Sequence, residues 1–454
     1  MRVSRLQTII VAALLAVCTV SGWAADVEFS ASPNGNWNVI GNWSEGSRVP
    51  TVGDTAIVRN TGTLLVTDVQ SADALVVGRN GNGFAEIQAG TLSTANTIVG
   101  DVGCSVTLTQ TDGAHVISSS LKVGESSNAS GTYLLTGGNL TALIERIGFR
   151  GTAQFTQQGG TNTVQDDLQI NQESSSTCSY TLSGGRLSVA DRETVGWYGT
   201  GTFEQSAGTH TVGGQLRVGE NAMGAYTLSG GTLAVTTDAF VGYSKVGTFD
   251  QTGGTNSITG DLYVGKNSAG DGVYTLDAGV LAMDTLVLGQ ATGSVGSFRL
   301  RGGEMTVNDG IQPLSGTAIF EFLGGTLHAG YISMGTFTNQ SGILAPGTSI
   351  GETTFYGNYE QSAGGTLQIE VNSTGIDVIK NITAATLDGT LEVVLTDGFE
   401  PAPGWTSASF LKTVNGISGT FSDVTRLWSV VVSENGKEMS LERLAKVGTV
   451  IVVQ

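Results

Sequence analysis

Apolar and polar positions alternate along most of this chain, and the alternation recurs in units of roughly 22 to 25 residues, a period typical of repeat architectures. In the segment YTLSGGTLAV, at 226–235, two short alternating stretches flank a pair of glycines. A period of two is typical of β-strands, and the glycines permit a turn with positive φ between them. No comparable helical period appears in the repeats. The pattern therefore predicts an all-β fold.

Two series of glycines mark the repeats. The first comprises Gly90, Gly113, Gly138, Gly160, Gly185, Gly208, Gly231, Gly254, Gly279, Gly303, Gly325 and Gly342. An aromatic residue precedes ten of these glycines by five positions, and a second series, each after an apolar residue, runs from Gly78 to Gly289. A unit of this length, built of short strands and turns, is the size of one rung of a β-solenoid, in which parallel strands stack about 4.8 Å apart. We predict a parallel β-solenoid of about twelve rungs with terminal β caps.

Two inward-facing positions of each rung, three before and two after the first-series glycine, alternate between apolar and polar pairs. The nine pairs are Ile87/Leu92, Gln110/His115, Leu135/Leu140, Gln157/Asn162, Leu182/Leu187, Gln205/His210, Leu228/Leu233, Gln251/Asn256 and Leu276/Leu281. Because a buried amide needs a partner, we predict that each Gln hydrogen-bonds directly to its Asn or His. Gln251→Leu should then strand Asn256, and adding Asn256→Leu should restore stability.

The repeat pattern and the N-terminal composition divide the chain into four parts. Residues 1–24 have basic Arg2 and Arg5, an apolar run and small residues near Ala24, which is typical of a secretory signal peptide. Residues 25–70 are interpreted as an N-terminal cap with the first rungs, and residues 71–342 as the repeat array. Residues 343–454 alternate like strands without the regular spacing, which predicts a C-terminal β cap over the open end of the array.

Composition narrows the function classes. The 454 residues include 67 Gly and only 6 Pro, which is unlike both collagen and Pro/Gly-rich disordered chains. The formal net charge of −18, without a Lys/Arg cluster, disfavours nucleic acid and anionic membranes as partners. After residue 24, no apolar run reaches the roughly 20 residues that span a bilayer. We expect a secreted or cell-surface protein with no transmembrane segment in the mature chain.

Three segments resemble parts of a known protein class. GILAPGTSIGETTFYGNYEQSAGGTLQIEV, with the strands that follow it, looks like the end of an autotransporter-type passenger region, and the repeats are similar to passenger β-strand repeats. GNWSEGSRVPTVGDTA resembles the start of large secreted bacterial β-solenoid proteins. The resemblance implies a right-handed β-helix displayed at or released from the cell surface, often as an adhesin. The stretch after the last rung is too short for the membrane barrel that such a protein carries besides its cap.

β-Helices also include enzymes that degrade pectin, so catalytic groups must be considered. Asp166 and Asp167 are the nearest acidic pair, but neighbours on a strand point to opposite faces, and we expect them not to converge. No acidic cluster is evident beside four arginines that a lyase could use as a base, namely Arg146, Arg186, Arg192 and Arg217. The Ca²⁺-binding GGxGxDxUx repeat is absent. We therefore predict no catalytic residue, no metal site and no cofactor.

The histidines and cysteines also favour structural roles. His115 and His210 occupy the alternating core position, four rungs and roughly 19 Å apart, too far to share one metal ion. His328 has no evident partner in the pattern. Cys104 and Cys178 lie about three rungs apart, on the order of 14 Å, whereas a disulfide needs Cα atoms within about 7 Å. We predict two buried thiols.

The sequence thus favours an exported, non-enzymatic β-solenoid with a structural or adhesive role, whose partners are extracellular polysaccharide or cell-surface components. The alternative is a carbohydrate-active β-helix that binds or cleaves an extracellular polysaccharide along a lateral groove. A compact cluster of carboxylates beside an Arg or Lys on one lateral face would favour the alternative.

Overall fold

A computed structural model describes residues 25–44, 46, 48–173, 178–347 and 349–445. The fold is an all-β parallel solenoid of about 15 turns, as the repeat pattern predicted. The signal peptide predicted at 1–24 lies outside the described residues. One short 3-10 helix, Ile40–Asn42, is the helical element in the described part of the chain. None of the helices there is long and apolar enough to cross a membrane.

The strands of the N-terminal third are β1 (Asp26–Glu28), β2 (Asn34–Asn36), β3 (Thr55–Val58), β4 (Thr63–Val66), β5 (Gln70–Ser71), β6 (Ala74–Arg79), β7 (Phe84–Ile87), β8 (Thr91–Val102), β9 (Ser105–Gln110), β10 (Ala114–Val123), β11 (Ser130–Leu135), β12 (Asn139–Ile147), β13 (Thr152–Gln157), β14 (Thr161–Val164) and β15 (Leu168–Ile170). Those of the middle are β16 (Cys178–Leu182), β17 (Arg186–Val189), β18 (Glu193–Val195), β19 (Gly201–Gln205), β20 (Thr209–Val212), β21 (Leu216–Val218), β22 (Gly224–Leu228), β23 (Thr232–Val235), β24 (Ala239–Val241), β25 (Val246–Gln251), β26 (Thr255–Ile258), β27 (Leu262–Val264), β28 (Asp271–Leu276), β29 (Val280–Leu288), β30 (Val295–Leu300) and β31 (Glu304–Pro313). The C-terminal strands are β32 (Thr317–Phe322), β33 (Thr326–Ile332), β34 (Thr336–Asn339), β35 (Ile343–Leu344), β36 (Glu352–Gln361), β37 (Thr366–Val371), β38 (Val378–Leu387), β39 (Thr390–Leu395), β40 (Thr406–Thr413), β41 (Ile417–Gly419), β42 (Asp423–Val424), β43 (Trp428–Val432) and β44 (Glu438–Arg443).

Each regular turn of the coil contains three strands, and each strand pairs in parallel with the strand one turn later. β19 pairs with β22, and β22 pairs with β25, so that Gly201, Gly224 and Gly247 stack at the same position of successive turns. The other two strands of the turn follow the same rule, as β20 with β23 and β21 with β24. The repeat unit of the sequence is therefore one turn of the solenoid.

Glycine makes the corner between the first two strands possible. Gly231 has a φ of +79°, a conformation that is costly for residues with a side chain. A Cβ added there would lie 2.5 Å from the carbonyl oxygen of Gly208, the equivalent residue one turn earlier. The stacked corners thus leave no space for a side chain, which explains why the glycine recurs in every regular repeat.

The first strand of each regular turn contributes one aromatic ring to a stacked column in the core. From Tyr133 to Phe298, successive ring centroids lie 4.6–5.1 Å apart with interplanar angles of 2–11°. The centroid spacing follows the strand spacing of about 4.8 Å, because each turn adds one ring. These rings are the aromatic residues that precede the marker glycines by five positions.

The prediction of about twelve rungs was too low, since the solenoid has about 15 turns. The additional turns lie where the spacing is irregular. β1, β3 and β6 already stack in parallel before residue 80, and β35, β37, β39 and β42 continue the parallel ladder beyond residue 343. Between the named strands of the described residues, antiparallel pairing occurs near the C-terminal end, where β44 pairs with β40 and β43. Isolated antiparallel bridges also join Phe29 to Trp43 and Val371 to Ile376.

Candidate functional site

Three carboxylates meet at one corner of the solenoid. Asp166 and Asp167 follow β14, Asp191 follows β17 one turn later, and one oxygen of each lies within 4.8 Å of the others. We call these three residues the acidic corner. The expectation that Asp166 and Asp167 diverge was wrong, because they lie in the bend between two strands, where side chains do not alternate between faces.

Arg192 lies against the acidic corner, so the expectation that none of the four arginines accompanies an acidic cluster was also wrong. Its Nη2 is 2.7 Å from Asp167 Oδ2, and its backbone N–H donates to Asp167 Oδ1 at 3.3 Å. Burial lowers the pKa of Arg192, but the hydrogen bond and charge of Asp167 outweigh that effect, and the pKa is raised. The guanidinium therefore remains a cation and is a poor base for abstracting a proton.

The acidic corner forms one wall of a shallow groove of about 400 Å³. Gln215, Arg217 and Thr237 from the next two turns line the rest. The separation of the carboxylate oxygens is below the roughly 6.5–9.5 Å of an inverting glycosidase and close to the roughly 5–5.5 Å of a retaining one. Carboxylate oxygens beside a cationic guanidinium can also bind hydroxyl groups or a cation.

A row of cations stacked on aromatic rings follows the same side of the solenoid. The Arg217 guanidinium is 4.4 Å from the centroid of Tyr243, and Lys266 Nζ is 3.5 Å from that of Tyr263. Arg192 similarly lies 5.4 Å from the ring of Trp197. Each such contact contributes about 0.5–2 kcal/mol. Because these cations already cover the rings, the row stabilises the surface and leaves little aromatic face for a ligand.

Tyr198 is an exception on this side of the molecule, since 61% of its surface is exposed. Together with Met223, Lys245 and Val246 it lines a groove of about 390 Å³ at the corner that follows the third strands. An exposed aromatic ring in a groove can stack on the apolar face of a sugar ring. The acidic corner and this groove flank β18 and β21, so they border the same turns.

The histidines lie apart, as predicted. His115 and His210 are fully buried in the core, where Nδ1 of each contacts the hydroxyl of a tyrosine, Tyr133 at 3.1 Å and Tyr226 at 3.0 Å. His328 is not isolated, because its Nδ1 contacts the carbonyl oxygen of Gly347.

Cys104 and Cys178 are both buried thiols, as predicted. The S–H of Cys104 donates to the carbonyl oxygen of Gly78 at 3.4 Å, and that of Cys178 to the carbonyl oxygen of Gly151 at 3.4 Å. Both side chains are therefore accommodated as part of the packed core.

The polar pairs are buried as predicted, but their contact is not direct. In the pair Gln251/Asn256, the hydroxyl of Tyr274 from the next turn donates to Gln251 Oε1 at 2.6 Å and accepts from Asn256 Nδ2 at 3.1 Å. Gln251 Nε2 donates to main-chain carbonyl oxygens. A direct side-chain hydrogen bond was the wrong prediction, because the two side chains are joined through a hydroxyl contributed one turn later.

Sequence reasoning missed the tyrosines and two buried carboxyl groups. The tyrosines follow the four polar pairs in turn, and they are Tyr133, Tyr180, Tyr226 and Tyr274. Glu145 and Glu193 are both completely buried and occupy a third-strand position where the neighbouring turns have Leu. Two features of the sequence indicate them: Tyr replaces Phe only after a polar pair, and each Glu lies three positions before a second-series glycine.

Comparisons with known proteins do not assign the chain to a family. No protein-family model matches the sequence, and no curated protein matches it significantly.

Proposed function

We propose that this protein is an exported, non-enzymatic β-solenoid that acts as a structural or adhesive component at the cell surface or outside the cell. The observation that carries the proposal is the continuity of the coil. One parallel ladder runs through about 15 turns, with an aromatic column in its core and an antiparallel C-terminal end. Such a rod has a long, regular side surface.

The surface chemistry supports the same proposal. Ion pairs connect equivalent positions of neighbouring turns, as Arg150 with Glu173 at 3.2 Å and Arg299 with Glu321 at 2.8 Å. The net charge of −18 favours solubility and disfavours nucleic acid as a partner. The N-terminal sequence supports export, and the likeness of the repeats to autotransporter-type passengers supports display at or release from the surface.

A second candidate function is carbohydrate binding or cleavage along the side of the rod. The acidic corner with Arg192 favours it, because this is the compact cluster of carboxylates and a cation that such a site requires. The groove beside Tyr198 adds an exposed ring on the same turns. Arg192 is held as a cation by Asp167, which favours binding over a lyase reaction with this arginine as the base.

The test is to incubate the chain from Ala25 onward with a panel of extracellular polysaccharides, and to measure retention on the polymer and the release of new chain ends. Release of new ends in proportion to protein concentration, lost in Asp167→Asn, would replace the non-enzymatic proposal with the second candidate. Retention without cleavage is the result expected of an adhesive rod. If neither occurs, a structural role without polysaccharide binding is the surviving proposal.

Matched variants locate the binding surface. Tyr198→Ala should weaken retention, whereas Tyr356→Ala, which removes a similarly exposed ring on a different part of the rod, should not. Equal effects of the two variants would show that polymer binding does not depend on the groove.

A further inference from the structure

Two carboxyl groups lie in the buried core of the middle turns. Glu145 on β12 and Glu193 on β18 are both completely buried, and the strand register places Leu168 between them. Leu121 occupies the same position in the turn before Glu145, and Leu216 occupies it in the turn after Glu193. Burial of an ionised carboxylate is costly unless it is paired, so the protonation state of each group depends on the partners that it has.

The buried cluster around Glu145 has fewer hydrogen-bond donors than acceptors. Its Oε2 accepts from Asn162 Nδ2 at 3.1 Å, and the same amide nitrogen donates to the Tyr180 hydroxyl oxygen at 3.2 Å. The Tyr180 hydrogen is used in a 2.7 Å bond to Gln157 Oε1. Glu145 Oε1 and Asn162 Oδ1 then remain as two buried acceptors without a hydrogen-bond partner among the described residues. A proton on Glu145 would supply the donor that this cluster lacks.

Glu193 and His210 form a second cluster of the same design. Tyr226 donates to Gln205 Oε1 at 2.8 Å, so its oxygen accepts from His210 Nδ1, which must carry a hydrogen. The other ring nitrogen, Nε2, lies 2.8 Å from Glu193 Oε2. Two acceptors at this distance repel one another unless a proton lies between them. The pair therefore holds one proton, whichever of its two atoms carries it.

His115 shows the neutral version of this arrangement. Its Nδ1 contacts the Tyr133 hydroxyl as in the second cluster, but its Nε2 faces the hydroxyl of Thr97 at 3.0 Å, which can donate a hydrogen. Burial lowers the pKa of His115 to about 3, so this imidazole is neutral at physiological pH. A cluster with Thr in place of Glu needs no additional proton.

We propose that the turns from β12 to β21 fold around two protons held in the core, one on Glu145 and one between Glu193 and His210, and that the proton on Glu145 makes these turns lose stability as the pH rises. This inference does not depend on the proposed function, because it concerns the core alone.

The direction of the pH dependence follows from Glu145. Burial raises its pKa from 4.5 to about 8, although the Asn162 hydrogen bond acts in the opposite sense. Below about pH 4.5 the folded and unfolded chains are both protonated there, and the stability is full. Between about pH 4.5 and pH 8 the unfolded chain releases a proton that the fold keeps, so stability falls through this window and then levels off.

The other titratable groups that face the two clusters do not reverse this direction. Charge on Glu145 acts on Tyr133 and Tyr180, and charge on Glu193 acts on Tyr180 and Tyr226. Burial raises the pKa of all three phenols well above the usual value, so they remain neutral through the window. His115 is neutral there too, as described above, and among the described residues no Lys or Arg side chain bonds to either carboxyl group.

The experiment is amide hydrogen exchange on the chain from Ala25 onward, from about pH 5 to pH 9, with correction for the intrinsic exchange rate. Between about pH 5 and pH 8 the open population of residues 139–218 should rise by up to about tenfold per pH unit, because the folded chain keeps the proton on Glu145 that the unfolded chain releases. Residues 271–313 serve as the internal comparison. Glu145→Gln should remove this dependence on pH, and Glu204→Gln, an exposed change on β19, should leave it intact.

Two results would overturn the inference. One is a wild-type protein in which the open population of the middle turns rises with pH no more steeply than that of residues 271–313. The other is an unchanged pH dependence in Glu145→Gln. If Glu145→Gln fails to fold, the infrared C=O stretch of a protonated carboxylic acid can be followed in Asp377→Asn, because burial also raises the pKa of Asp377 to about 7. The band of Glu145 should be present near pH 6 and disappear above about pH 8. Its absence near pH 6 would refute the retained proton on Glu145.

Discussion

The hydroxyl of Tyr274 should be worth more to the fold than a single hydrogen bond, because it joins two buried amide side chains. It donates to Gln251 Oε1 and accepts from Asn256 Nδ2, and all three side chains are essentially inaccessible to solvent. Tyr274→Phe would strand one acceptor and one donor. Each stranded buried group costs roughly 1–3 kcal/mol, and loss of the buried hydroxyl offsets part of that, so we expect a loss of about 2–4 kcal/mol.

The decisive comparison is between a double and a triple variant. Gln251→Leu with Asn256→Leu leaves the Tyr274 hydroxyl without a partner and should remain destabilised by about 1–3 kcal/mol. Adding Tyr274→Phe reproduces the preceding turn, in which Leu228 and Leu233 are followed by Phe249, and should restore stability to within about 1 kcal/mol.

The assay is the local free energy of opening from hydrogen exchange over β25–β28, since a repeat protein need not unfold in one step. Phe249→Tyr is the reverse control, because it buries a hydroxyl among apolar neighbours and should destabilise the fold by about 1–3 kcal/mol. If the double variant were already as stable as the triple variant, the bridging role of Tyr274 would be refuted.

Three further predictions concern other parts of the fold. Gly231→Ala should destabilise it by at least about 2 kcal/mol, through its positive φ and the carbonyl oxygen 2.5 Å from the new Cβ. Gly41→Ala, where no atom lies within 4 Å, should leave the melting temperature unchanged, and equal shifts would contradict the steric argument. Phe203→Ala should cost about 3–5 kcal/mol in denaturant unfolding, as it opens the aromatic column, and a loss below about 1 kcal/mol would show that the column closes readily. The hydrogen bond from Arg48 lowers the pKa of Asp54 to about 2 despite burial. The ionised carboxylate should therefore add at most about 2 kcal/mol to the free energy of unfolding above about pH 4, and this stabilisation should be lost as the pH falls toward 2. Asp54→Asn should abolish that part of the acid dependence, as measured by unfolding at low pH.

The acidic corner shows why the candidate site could not be derived from the sequence. Asp167 and Arg192 are distant in the sequence, and no local pattern marks them as neighbours. They meet because one turn of the coil brings successive corners together. The alternation rule that separates Asp166 from Asp167 holds only inside a strand, and the bend between β14 and β15 breaks it.

The sequence by itself determined the repeat, the fold class and the inward-facing positions, because the period of two and the corner glycines are local properties of the chain. It also determined that alternate turns bury polar pairs. Only the stacking of turns decided that Tyr274 bridges Gln251 and Asn256, that Glu145 lies beside Asn162 in the core, and that the solenoid extends to about 15 turns. These contacts join side chains 17 to 23 positions apart, and their distances depend on how one turn lies on the next.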